Sequence, residues 1–241
     1  VVTKAVTLRP ERDARLSQAE RAYRVVKRAV VRCELDPGSQ VTKAQLCERF
    51  GISDMPARVA IERLVQERFL QAIPQTGYLV APVTLKQIHD LLDLRLVLET
   101  AAARRSAGRI EEPELRRLGQ LCREHYRPDD FESLERYLDE NTDFHVSIAR
   151  ASGNDRLADM VALLFEEMER IMYLAHRLSD ANQSAETHHA DLVRALAAAD
   201  PEAAAAAVAT EIQSMRSDIL DEFIMSRGLE PFTVQLRRSE T

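Results

Sequence analysis

The sequence predicts a mainly α protein: two short helices and a small β-hairpin near the N-terminus, then an antiparallel bundle of about six helices. Three observations predict it. Seven glycines, no tryptophan and an abundance of Ala, Leu, Arg and Glu favour helix over sheet. Apolar residues recur three and four apart through most of the chain. The exception is the stretch ending at Val80, where Phe69 to Ile73 and Tyr78 to Val80 flank Pro74-Gln75-Thr76-Gly77, the pattern of a hairpin.

Taken in order, residues 1–16 are polar, contain Pro10 and lack periodicity, which predicts a flexible leader. Ser17 to Arg32 is a helix, with Ala22, Val25, Val26, Ala29 and Val30 on its apolar side. Its Arg21, Arg24, Lys27, Arg28 and Arg32 make either a solvated face or a set of phosphate contacts. Leu35-Asp36-Pro37-Gly38 is a turn. Thr42 can cap a short helix to Phe50, on which Leu46 and Phe50 share a face. Gly51 ends it, and Ser53 is placed to cap the next, whose stripe is Ala57, Ala60, Ile61, Leu64 and Val65.

Two short helices around a glycine turn form either an ordinary packing unit or a helix-turn-helix whose second helix enters a DNA major groove. The hairpin that follows favours the second reading, as a wing. Charge supports it as well. The whole chain carries −6, which alone argues against nucleic acid. Yet residues 1–80 hold 14 Lys+Arg against 9 Asp+Glu, a balance of +5, while the rest holds 19 against 30, a balance of −11. Arg58 is the leading candidate for DNA contact, since a guanidinium takes a phosphate or both acceptors of a guanine. Ser53 suits a cap and a phosphate contact, and Gln75, Thr76 and Gly77 form the wing tip. Thr42, Lys43, Asp54, Met55 and Arg63 complete the candidate DNA-binding set.

Pro82-Val83-Thr84 marks a boundary between a winged helix-turn-helix domain, residues 17–82, and an all-helical domain, residues 83–228, with a tail over 229–241. Helices are expected over Leu85–Ala107, Pro113–Tyr126, Phe131–Ala151, Asn154–Leu178, Ser184–Ala199 and Pro201–Ser226. Within them, Asn141 and His145 lie one turn apart, His189 begins a later helix and Glu211 sits in the last one. Each has an ordinary reading, His145 as a core histidine and Glu211 as a surface carboxylate. They form a ligand set only if the fold joins them. Arg95 and Glu99 are four apart, which is either a helical salt bridge or a guanidinium turned inward.

Asp36-Pro37-Gly38, Leu46, Phe50-Gly51-Ile52-Ser53, Pro56, Arg58, the run from Leu64 to Leu70 and Gly77 fall in the order and spacing of the winged helix-turn-helix of GntR-type regulators. Phe144-His145, Ser152-Gly153-Asn154, His189, Ala195-Leu196 and Asp200 resemble the ligand-binding FCD domain of the FadR-like subgroup. The resemblance implies a transcription factor, a repressor, that binds a pseudo-palindromic double-stranded operator as a homodimer. It also implies a divalent metal at the positions of Asn141, His145, His189 and Glu211, where relatives carry Asp and three His. The exchange of Asp for Asn and His for Glu keeps one carboxylate and two imidazoles, a set suited to Zn, Ni, Mn or Fe. His188 is the alternative to His189 if the register moves by one. Arg95 with Asn141, His145, His189 and Glu211 is then the expected site for a small carboxylate effector. The resemblance also exposes two departures: Asp54 stands where relatives have Arg, and Met55 where they have Thr or a small residue.

No apolar run approaches the ~18–20 residues of a membrane span, and no secretory signal pattern opens the sequence. Cys33, Cys47 and Cys122 are scattered and odd in number, the usage of reduced thiols in the cytoplasm. Two other functions stay open at this level. One is a metal-dependent enzyme on the bundle, though no HExxH or paired ExxH repeat is present. The other is a constitutive DNA-binding protein without an effector.

Overall fold

Ser17 accepts a hydrogen bond from the Glu20 amide at 3.1 Å and starts α1, Gln18–Val31. The computed structural model of the protein describes residues 16–122, 130–178 and 189–225. These form nine α-helices and three short strands, in two units that divide between Val83 and Thr84. The expected leader up to residue 15, the tail over 229–241 and His188 lie outside the described residues.

In the first unit Thr42 and Gln45 cap α2, Lys43–Phe50, reciprocally, each side chain bonding the other's backbone amide. Gly51 takes the left-handed conformation, φ +62°, and turns the chain into α3, Asp54–Gln66. Ser53 occupies the N-cap position, but its hydroxyl makes no capping hydrogen bond, contrary to the expected cap. Ala57, Ala60, Ile61 and Leu64 bury the inner face of α3 against Ala22, Val26, Ala29 and Val30 of α1. Burying several such side chains, at roughly 1.5–3 kcal/mol for each large one, is what holds the helix pair together.

The hairpin is β2, Leu70–Ile73, and β3, Gly77–Val80, antiparallel with Leu70 opposite Val80 and Ile73 opposite Gly77. A third strand, β1, Gln40–Val41, pairs with the other edge of β3, giving the order β1-β3-β2. Two residues are too few to carry a strand period, so β1 was not legible in the sequence. At Gly77 a Cβ would lie 2.6 Å from the Val41 carbonyl oxygen, and φ is +138°, so the turn needs glycine twice over.

The second unit is a bundle of six helices among the described residues: α4 Leu85–Ser106, α5 Glu112–Leu121, α6 Phe131–Ala151, α7 Asp155–Leu178, α8 His189–Ala197 and α9 Pro201–Met225. Thr84 and Gln87 cap α4 with the same reciprocal pair that starts α2. This helix is central, packing on α6, α7 and α9. Ala102, Val146, Ala149, Val161 and Phe165 form the core between α4, α6 and α7. The expected extensions to Tyr126 and from Ser184 fall outside the described residues, while α8 ends at Ala197, two residues early. Ala199 there adopts φ +53° before Pro201 opens α9. Among the described residues no helix is long and apolar enough to cross a membrane.

Candidate functional site

Two groups of residues carry chemistry, one in each unit. On α3 the outward stripe is Asp54, Met55, Arg58, Val59 and Glu62, all exposed. Its charges are paired within the unit: Asp54 with Lys43 at 2.5 Å, and Arg58 with Glu62 at 2.8 Å. Such exposed pairs contribute little to stability and open easily to a better partner. Arg63 faces elsewhere. Its guanidinium lies 3.5 Å from the centre of the Tyr23 ring and pairs with Glu67 at 2.9 Å and Glu20 at 3.1 Å, tying α3 to α1. Thr42 is engaged in its helix cap, and Gln75 at the hairpin tip has φ +63°. Thr76 donates to the Pro74 carbonyl at 3.3 Å beside it.

In the bundle, α6, α8 and α9 bring His145, His189 and Glu211 together, all buried, with one ligand atom of each within 4.8 Å of the others. The two Nε2 atoms are 3.1 Å apart. Glu211 Oε1 lies 3.2 Å from Nε2 of His145 and 3.4 Å from that of His189. Donor atoms bonded at about 2.1 Å to one cation, roughly 90–109° apart, stand about 3.0–3.4 Å from each other, so this set fits a single divalent cation. Glu211 Oε2 supports the fit, being buried without a hydrogen-bond partner among the described residues. Asn141, one turn before His145 and half-buried, lines a small cavity with His189, Phe144, Tyr137, Glu140 and Leu121.

The α4 helix contributes a residue whose part in this site the sequence did not reveal. Glu99 Oε2 accepts from His145 Nδ1 at 2.6 Å, which turns Nε2 toward Glu211 and His189. Its other oxygen accepts from Arg95 Nε at 2.6 Å. Arg95 is fully buried, 0% exposed, and stacks its guanidinium 4.4 Å from the centre of the Phe165 ring. Nη1 reaches Met215 Sδ at 3.0 Å, while Nη2 has no partner among the described residues. Aromatic walls complete the site: Phe165 stacks on His145 at 4.6 Å and Phe144 on His189 at 4.1 Å.

Electrostatics follow from this placement. Burial alone would depress His145, but Glu99 and Glu211 on either side raise it to about 9. His189 is lowered by burial and by the neighbouring charged His145, against the pull of Glu211. Burial would also raise the two carboxyls, yet Arg95 and His145 hold Glu99 below the ordinary range. His145 and His189 hold Glu211 well below it. Without a cation the site is thus a chain of charges: Arg95, Glu99, protonated His145 and Glu211.

The chain matches the bacterial regulatory proteins of the gntR family over residues 18–80 and the FCD domain over residues 90–214. It is 23% identical over 200 residues to the HTH-type transcriptional repressor RspR of Escherichia coli (strain K12), covering 83% of this chain and 88% of that protein. It is 26% identical over 186 residues to the Nta operon transcriptional regulator of Aminobacter aminovorans, covering 77% and 86%. Among solved structures, E. coli McbR/YncC shares its fold with a TM-score of 0.68 at 20% identity, over 86% of this chain and 99% of the other.

Proposed function

The chain belongs to the GntR family of bacterial regulators, with an FCD domain behind its winged helix-turn-helix, and from that premise we propose how it regulates. It is a DNA-binding transcriptional regulator and not an enzyme. In this reading it represses, as RspR is named to do, by binding a pseudo-palindromic operator in the cytoplasm as a homodimer. One small helix-turn-helix offers few base contacts, and two-fold symmetry doubles them. Thr42, Lys43, Ser53, Arg58 and the wing residues Gln75, Thr76 and Gly77 meet the DNA, and the bundle binds a small carboxylate effector that releases it.

The observation behind the effector site is the convergence of His145 Nε2, His189 Nε2 and Glu211 inside the second unit, with Glu211 Oε2 unpartnered among the described residues. These three would hold a divalent cation, Zn, Ni, Mn or Fe, with Asn141 as a further oxygen donor. When bound, such an ion supplies positive charge and open coordination positions for an effector carboxylate. The protein's own residues do the rest. Glu99 fixes the His145 tautomer, Arg95 holds Glu99, and Arg95 Nη2 is available to a second effector charge.

The test is native mass spectrometry with metal analysis of the purified protein, followed by operator-release assays with di- and hydroxycarboxylates. A dimer with about one divalent ion per chain, releasing DNA to one acid class, is the expected result. A metal-free dimer that still responds would move the effector onto Arg95 and hydrogen bonds alone. Indifference to every acid would make this a constitutive DNA-binding protein.

A further inference from the structure

Met55 and Val59 are 64% and 46% exposed, one turn apart on the outward stripe of α3. A single exposed apolar residue is unremarkable on any protein. This pair differs in its setting. It occupies the outer face of the second helix of the helix-turn-helix, and the three charged residues of the same stripe are all paired within the unit. Asp54 is held by Lys43, and Arg58 by Glu62. Asp54, Arg58 and Glu62 together carry −1, so the stripe offers phosphate little free positive charge, although the surrounding segment is basic. What the stripe offers without rearrangement is two apolar surfaces.

In the major groove only one base edge presents an apolar group, the C5-methyl of thymine. We propose that Met55 and Val59 are specificity-determining residues that read thymine methyl groups in each operator half-site. This rests on the reading of α3 as the helix that enters the groove, and it goes further by naming the base chemistry read there. The side chains suit the task differently. Met55 is long and unbranched and adapts to a methyl at the groove floor. Val59 is short, stiff and further along the helix, and covers a methyl closer to the backbone. The alternation of apolar and charged residues along the stripe, Asp54, Met55, Arg58, Val59 and Glu62, matches a mixed base edge better than a protein partner, which would favour a continuous apolar patch.

The experiment begins with the full-length protein and a random-sequence duplex pool, from which bound sequences are selected. A selected duplex is then remade with uracil replacing thymine at one position at a time. Uracil keeps every hydrogen-bonding group and lacks only the methyl. Uracil at one or two positions per half-site is expected to weaken binding about four-fold for each buried methyl lost. Met55→Ala should abolish the thymine–uracil difference at one position and Val59→Ala at another. Both are surface substitutions, so circular dichroism should be unchanged. Equal affinity for thymine and uracil duplexes at every position overturns the inference while leaving α3 as the reading helix. A pool that yields no enriched sequence overturns the DNA reading and this inference with it. If uracil has no effect but Met55→Ala changes self-association, the face is a protein contact instead.

Discussion

His145 sits between two buried carboxylates, and that placement sets how the bundle responds to pH. Its folded value, about 9, stands above the ordinary histidine value near 6.5. A raised value means the folded state holds the proton more tightly than the unfolded chain. The stabilisation is therefore complete below about 6.5 and lost as pH rises through about 9. His189 moves the other way, and its contribution is lost only on the acid side, as pH falls below 6.5. In metal-free protein, the urea midpoint should fall between pH 6.5 and 9, and His145→Gln should flatten that dependence. If His145 Nε2 holds a cation, as proposed, it cannot also hold the proton, so the metal-loaded protein should lose the slope too. A metal-free midpoint that stays flat across this window would mean that His145 is neutral between Glu99 and Glu211.

At the scale of the element, α3 carries two arginines five residues apart with different surroundings. Arg58 is on the outward stripe, paired with Glu62 and near Asp54 and Tyr78, while Arg63 is bound up with Glu20, Glu67 and the Tyr23 ring of α1. Arg58→Ala should weaken operator binding by about 1–3 kcal/mol if it reads a base, with unfolding unchanged. Arg63→Ala should instead lower stability by on the order of 1 kcal/mol and leave the salt dependence of DNA binding alone. A reduced salt slope for Arg63→Ala would place it on a phosphate after all. The helices were legible because their apolar residues recur every three to four positions, and Thr42 and Thr84 stand at caps that the structure forms. The wing was legible through Pro74 to Gly77. The two-residue strand β1 was not, because pairing with β3 is a tertiary fact with no local signature. In the site, His145, His189 and Glu211 were nameable from family resemblance, but Glu99 belongs to a fourth helix. Its local partner Arg95 was visible at four residues' spacing, whereas its bond to His145 required knowing that α4 packs against α6.

For the whole molecule, the question is whether the bundle site and the DNA-reading unit share one equilibrium. A ligand changes operator affinity only if it binds one state of the protein better than the other. Thermodynamic linkage then makes the effect mutual: if an effector lowers operator affinity by some factor, the operator must lower effector affinity by the same factor. A coupling of ~1–3 kcal/mol corresponds to roughly 5–150-fold. The prediction is that calorimetric titration of the effective carboxylate gives a weaker binding constant when saturating operator duplex is present. That ratio should equal the effector's own effect on DNA affinity. His145→Ala combined with His189→Ala removes two of the three converging donors, and both ratios should collapse to one together while operator binding itself persists. A variant that stays folded and metal-free yet keeps both ratios would detach the effector from these histidines. Ratios that differ in the unsubstituted protein would mean that the acid acts on the DNA-reading unit by a second route.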